Sequence, residues 1–316
     1  MRHSIFILFC LMLAIPTGLW SQKEASKSCR KNGFNLTNLL VPCEEIKGGG
    51  PPRDGIPSID KPDFTEASNA RHVFKDDYVL GVFYNGVAKA YPVRILDWHE
   101  IVNDYFGDTP VAVTWCPLCG SGMSFIRKVR GIKRTFGVSG LLYNSDVLLY
   151  DRQSLSLWSQ IMGKAIAGPE SGADLEFIPT LYTTFEKWRA RHPNTLVLTL
   201  KTGVMRDYFS TPYEGYDHDP TLLFRPKHMS KAFKNKERVV GVEVGGQYRA
   251  YPFSRLKKQP QPVRDTLNGV EILIHYDKKS RTAVAERADG KPLRAVTLFW
   301  FAWYGFHPDT SVFGGQ

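Results

Sequence analysis

A chain of 316 residues with 43% hydrophobic and 13% aromatic content has enough apolar surface for one large core or two modest ones, which excludes wholesale disorder. The formal net charge of +10 would suit an anionic partner. Yet the densest basic run, residues 225–238, holds a single aromatic (Phe233), one acid (Glu237) and no helical stripe, so it reads as a solvated connector and no nucleic acid is expected.

In chain order, residues 1–20 read as a secretory signal peptide: Arg2 and His3, an apolar stretch over 5–16, then polar sequence. That stretch is shorter than the roughly 20 residues that cross a bilayer, and no later segment is a candidate, so no transmembrane helix is expected after signal removal. The expected location is exported, periplasmic or extracellular, where association with an anionic envelope surface fits the charge. A lipoprotein anchor at Cys10 or Cys29 is poorly supported, because bulky Phe9 and charged Lys27 stand where small residues are wanted. Cys29 and Cys43 would close a loop of about 15 residues in an oxidising compartment, worth about 3 kcal/mol in the chain-entropy model, although four mature cysteines allow three pairings.

Residues 21–70 form an extended N-terminal arm, turn-rich around Gly48-Gly49-Gly50-Pro51-Pro52. A first β-rich lobe with its connector follows over 71–235, and a second, degenerate repeat lobe over 236–316. Asn85-Gly86 between two apolar runs predicts a type I′ hairpin. Ile95, Trp98 and Val102 have helical spacing, so 94–106 is read as a short helix bearing His99, Glu100 and Asn103. Next comes Cys116-Pro117-Leu118-Cys119-Gly120 between strand-like runs, which places two cysteines at a hairpin tip. Alternation over 147–150 argues for strands, Thr183 and Glu186 have capping-box spacing for a short helix ending before Pro193, and the aromatic run 298–304 reads as a core strand.

The stretch 79–92 reappears at 239–252, which indicates an internal duplication; the fold class is therefore mainly β, a β-rich α+β chain of two related lobes with short helices. In the second copy Lys258 and Gln259 replace Trp98 and His99, and Asp277-Lys278-Lys279-Ser280 replaces the cysteine turn. This joint loss suggests that His99 works with Cys116 and Cys119.

Three chemistries fit the C-x-x-C. A metal knuckle would use Cys116 and Cys119, with His99 and, for a soft ion, Met123; an incomplete thiolate set of this kind suits Cu(I) or Zn. A thiol-disulfide or cysteine-dependent enzyme would use Cys116, Cys119 and His99 as catalytic groups, but the helix N-terminus that activates such thiols is missing. A structural disulfide within an envelope interaction protein is the third. Glu100, Asn103, Ser139, Asn144 and Asp146 are candidate pocket-lining or cofactor-binding residues, and no nucleotide cofactor is indicated. Nothing in the sequence identifies a substrate or a partner.

With Trp98-His99-Glu100-Ile101-Val102-Asn103, Cys116-Pro117-Leu118-Cys119-Gly120, Ser139-Gly140-Leu141-Leu142-Tyr143-Asn144, Leu157-Trp158-Ser159-Gln160 and Trp300-Phe301-Ala302-Trp303, the chain resembles a bacterial family of exported proteins, the domain of unknown function DUF3179. The resemblance runs from about residue 49 to 313. It implies an exported bacterial protein and no particular reaction.

Overall fold

A computed structural model describes residues 29–315 of the protein; the expected signal peptide and Cys10 lie outside the described residues. Cys29 and Cys43 are joined, as their spacing suggests. The bridge ties the hairpin of β1 (Cys29–Lys31) and β2 (Phe34–Leu36) to the segment leading into β3 (Ile46–Gly48). The glycine- and proline-rich arm then runs over the domain, donating from the Gly49 amide to Gly140 O (2.8 Å) and from the Asp54 amide to Val138 O (2.9 Å). Its last element is β4 (Phe64–Glu66).

Strands β5 (Tyr78–Tyr84) and β6 (Val87–Pro92) meet at Asn85 (φ 49°) and Gly86 (φ 76°), the two positive angles that a type I′ turn requires. The helix expected over 94–106 is cut short. Helix α1 (Val93–Leu96) lasts one turn, and Glu100, at φ 56°, swings the chain into β7 (Ile101–Phe106). Pairing of Ile101 with Thr114, and a bond from the Ile59 amide to Ile101 O, override a weak helical spacing that happens to run through β-branched residues. Strands β8 (Thr109–Cys116) and β9 (Ser121–Ile126) form the predicted cysteine hairpin, with Cys116 opposite Ser121. Alternation along β8 divides the interior, since Ala112 and Cys116 face one core and Val111, Val113 and Trp115 another.

The chain then makes a small ribbon, β10 (Lys128–Val129) and β11 (Ile132–Lys133), and an antiparallel sheet of β12 (Phe136–Tyr143), β13 (Asp146–Asp151), β14 (Leu157–Ser159) and β15 (Lys164–Ala167), with β3 on its edge. Strand β16 (Glu176–Ile178) returns to pair with β9. Strand β17 (Thr180–Thr184) leads into α2 (Phe185–Arg191) and β18 (Leu196–Leu198). The helix ends before Pro193, but Thr184 rather than Thr183 occupies the N-cap and no side chain caps it. Thr183 and Thr184 are held in the strand opposite Val79 and Tyr78, while the amides of Phe185 and Glu186 donate to Asp77 O and Lys75 O.

After a connector, 199–237, the order of elements repeats: β19 (Arg238–Val244), β20 (Gln247–Pro252), α3 (Phe253–Leu256), β21 (Val263–Leu267), β22 (Val270–Asp277), β23 (Thr282–Arg287), β24 (Arg294–Phe299), α4 (Trp300–Phe306) and β25 (Ser311–Val312). The aromatic run 298–304 is therefore a strand only to Phe299. Beyond it, helical spacing lets Trp300 and Trp303 both turn inward, and Trp303 lies so close over Gly241 that a Cβ there would meet its ring at 2.2 Å.

The sheet order β17-β5-β6-β18 matches β24-β19-β20-β25, and the meander β7-β8-β9 matches β21-β22-β23. Side chains follow suit. Trp188 covers Gly81 and donates to Thr195 Oγ1 at 2.8 Å, as Trp303 covers Gly241 and donates to Thr310 Oγ1 at 2.8 Å. Lys89 and Tyr91 meet Asp104, as Arg249 and Tyr251 meet Asp265. The molecule is mainly β, 43% strand and 9% helix, with five small sheets set in a propeller-like ring. No helix among the described residues is long and apolar enough to cross a membrane. The first copy carries β10–β16 between β9 and β17, where the second passes directly from β23 to β24.

Candidate metal centre

The cysteine turn closes with Gly120 at φ 59°, a left-handed residue that lets the chain reverse into β9. It is held from three sides. The Phe299 amide donates to Cys119 O at 2.9 Å. Gln160 from the inserted sheet accepts from Ser121 Oγ at 2.7 Å and donates to Thr114 Oγ1 at 3.0 Å, clamping the hairpin's base. The turn of β12 and β13, with Asn144 at φ 48° and Ser145 at φ 69°, brings Ser145 O to 3.4 Å from Cys119 Sγ and 4.0 Å from Cys116 Sγ.

That same turn delivers Asp146. One ligand atom each from Cys116, Cys119 and Asp146 lies within 4.8 Å of the others, and all three residues are buried. The cysteines are not bridged. Asp146 Oδ2 accepts from the Ile161 amide at 3.0 Å, whereas Oδ1 is buried with no hydrogen-bond partner. An enclosed carboxylate oxygen left unpaired beside two sulfurs is costly unless a proton or a cation meets it.

Burial raises the pKa of both thiols, that of Cys119 well above the ordinary range; the Cys116 sulfur and Asp146 push Cys119 up further, whereas hydrogen bonding with Cys119 pulls Cys116 down against burial and the charges of Asp146 and Glu100. Asp146 is pushed up to about 7, chiefly by burial. Glu100, also buried, is pushed up to about 8 by burial first and then by the charges of Asp146 and Asp97. Asp97, at about 6, is raised by burial against the pull of hydrogen bonds from Trp115 and Thr211. Tyr213 and Tyr216, from the connector, pack against the core that holds both cysteines, and both phenols are raised by burial first, then by Glu100 and Cys116 for Tyr213 and by the two thiols for Tyr216. The result is a pocket of acids whose proton affinities are raised, chiefly by burial, the electrostatic condition in which a cation displaces protons.

The structure distributes the other candidates differently. His99 is not in the cluster: Nδ1 meets Pro57 O at 2.6 Å and Nε2 meets Tyr208 OH at 2.7 Å, so both ring nitrogens are engaged in packing the arm and connector. Met123 is buried in the same core as both cysteines. Asn103 is saturated, donating to Asp60 Oδ1 and Phe136 O and accepting from the Phe136 amide. Ser139 donates to Leu148 O inside β12. Asn144 ties the turn to Gly305 O and the Lys227 amide. Asp146 joins the sulfurs, although spacing offered no reason to rank it above its neighbours. Its signal was that β10–β16 exists only in the copy that has the cysteines. Tyr213 and Tyr216 stand in the connector, where no motif singled them out.

A family model described as a protein of unknown function, DUF3179, matches residues 53–310. No curated protein and no solved structure matches the chain.

Proposed function

We propose that this chain, which belongs to the DUF3179 family, is an extracytoplasmic protein that holds one borderline divalent metal ion, Zn²⁺ in preference to Cu(I), through Cys116, Cys119 and Asp146. The carrying observation is the convergence of two thiols and one unpaired carboxylate oxygen within 4.8 Å. A hard oxygen donor beside two thiolates suits zinc better than Cu(I), which favours sulfur donors. Tetrahedral zinc at bond lengths of roughly 2.0–2.3 Å wants ligand atoms roughly 3.3–3.8 Å apart, so ligand atoms gathered within 4.8 Å can close on one ion by small adjustments.

Three protein ligands leave a fourth position, which is the pattern of exchangeable and catalytic sites rather than closed structural ones. Glu100, electrostatically coupled to Asp146, is the adjacent carboxyl that would handle a proton there. Loading releases the thiol protons and the proton of Asp146, so affinity rises with pH. A thiol-disulfide role fares worse: the thiols are buried, their pKa values are raised, and a strand rather than a helix follows Cys119.

Metal analysis of the reduced, purified chain, with Co²⁺ substitution read by thiolate-to-cobalt charge-transfer absorption, tests this. One equivalent is expected, lost in Cys116→Ser/Cys119→Ser and bound about 10–100-fold more weakly in Asp146→Ala. Failure of the wild-type chain to take up zinc or cobalt would overturn the reading.

A further inference from the structure

Phe299, whose amide donates to Cys119 O, also walls a cavity of about 330 Å³ lined by Lys236, Arg238, Lys257, Lys278 and Arg281. None of these five cations forms a salt bridge among the described residues. Two carboxylates share the lining, Glu237 and Asp217, and neither forms a salt bridge with the five cations, although Asp217 and nearby Asp219 act on Lys236 through space. Glu237 accepts from the Ser254 amide at 2.7 Å, and Asp217 lies 3.6 Å from His218. Lys236 sits over the Tyr216 ring, 3.3 Å from its centroid.

Arg238 is the informative member. Its guanidinium lies between the rings of Tyr182 and Phe299, at 4.6 and 4.7 Å from their centroids, and its Nη1 is buried without a hydrogen-bond partner. Stacking between two aromatic faces fixes the plane of an arginine while leaving its N–H edge free, the arrangement suited to an oxyanion. Position 238 corresponds to Tyr78 in the first copy, which donates instead to Ser280 O. The charge is therefore a feature of one copy, not of the shared scaffold.

We infer that this cavity binds a small, multiply charged oxyanion of the phosphate class, with Arg238 as the fixed contact and Lys278 and Arg281 as the entrance charges. Its size admits a phosphate with a short organic remainder. Phe299 lines this cavity and packs on the cysteine turn, with its ring 3.1 Å and Arg238 Nη1 3.2 Å from where a Gly120 Cβ would stand. Yet the anion needs no metal, so the inference goes beyond the metal reading and stands or falls separately.

The test is calorimetric titration of the whole chain, in chelator and low salt, with inorganic phosphate and with glycerol phosphate. Saturable binding to one site is expected. It should weaken at least tenfold in Lys278→Glu/Arg281→Glu, whose side chains are exposed and whose folding is not at stake, and be lost in Arg238→Gln. The control Lys61→Glu/Lys128→Glu, an equal charge change at other exposed positions, should alter affinity less than twofold, and Cys116→Ser/Cys119→Ser should leave it unchanged. No saturable binding, or equal weakening by both double reversals, would overturn the inference. So would binding to phosphatidylglycerol vesicles with no response to either soluble phosphate, which would assign the charge to a membrane surface.

Discussion

Two turns occupy equivalent places in the duplicated scaffold. Asp277 and Ser280 in the second copy close theirs by ordinary means: Asp277 Oδ1 accepts from the Ser280 amide at 2.7 Å and from its hydroxyl at 2.8 Å. Arg281, at φ 51°, takes the left-handed place that Gly120 takes in the first. Asp277 is held near 2 by its hydrogen bonds, with Lys187 first, as a solvated carboxylate should be. Cys116 and Cys119 stand at the same positions, but the sheet of β12–β15 has been laid over them, bringing Ser145 O and Asp146 and excluding water. One backbone turn supports two opposite electrostatic states. The difference is made by the inserted sheet, not by the turn.

That comparison is broken or sharpened most strongly by metal. Exchanging the turns should be all or nothing: Cys116→Asp/Cys119→Ser abolishes the equivalent of bound zinc, whereas Asp277→Cys/Ser280→Cys creates none, because no carboxylate is brought over the second turn. Uptake of cobalt by the second variant at the new thiols would refute the role given to the insertion.

The next largest effect separates the two buried acid anchors. Lys89 and Asp104, with side chains 9% and 6% exposed, are drier than Arg249 and Asp265 at 24% and 17%. Removing one partner of a buried pair costs about 3–5 kcal/mol, whereas a partly solvated charged hydrogen bond is worth about 1.5–3 kcal/mol. Urea unfolding should therefore find Asp104→Ala more damaging than Asp265→Ala. Equal losses would mean that the copies are buried alike in solution.

Glycine tests the opposite expectation, that the copies agree. A Cβ at Gly81 would stand 2.2 Å from the Trp188 ring, and one at Gly241 2.2 Å from the Trp303 ring. Overpacking of this kind costs about 1–3 kcal/mol. Gly81→Ala and Gly241→Ala should lower stability by the same amount within about 0.5 kcal/mol, and a large disparity would deny that the helices α2 and α4 are equivalent.

The sequence made the scaffold legible because both hairpin signals and the offset between 79 and 239 are local patterns. It misled wherever a tertiary partner decided the matter. Ile95, Trp98 and Val102 looked helical until β8 claimed Ile101 and Val102. Trp303 looked like part of a strand until Gly241 on β19 offered its ring a seat. At the site, the cysteines announced themselves by spacing. Asp146 lies thirty residues beyond Cys116 and reaches it only through sheet packing, which no periodicity records. His99 vanished from the second copy together with the cysteines, yet in the structure its two ring nitrogens meet Pro57 O and Tyr208 OH.

The smallest predicted effect is one of pH, and its sign must be worked against a stronger background. His192 and His307 follow α2 and α4 at equivalent places, each packed at a tilt against its tryptophan, with ring centroids 4.2 and 4.3 Å apart. Burial lowers both pKa values, that of His307 to about 4, with Arg294 adding repulsion. A histidine whose folded pKa lies below its unfolded value of about 6.5 contributes nothing to the slope above that pH. As pH falls from 6.5 toward 4 the unfolded chain takes up the proton first, so stability declines, by about 2 kcal/mol at pH 5. In the metal-free protein Asp146 and Glu100 act the other way, since their folded pKa values of about 7 and about 8 are raised and acidification favours the native state. A pH profile of the wild-type chain alone therefore mixes the two. The difference between wild type and His307→Phe cancels the carboxyls, and it should move by about 1–2 kcal/mol in favour of the variant between pH 7 and pH 5. His192→Phe, at the less buried site, should show a smaller movement of the same sign, and a flat difference for His307 would mean that its ring is solvated and charged in the native state.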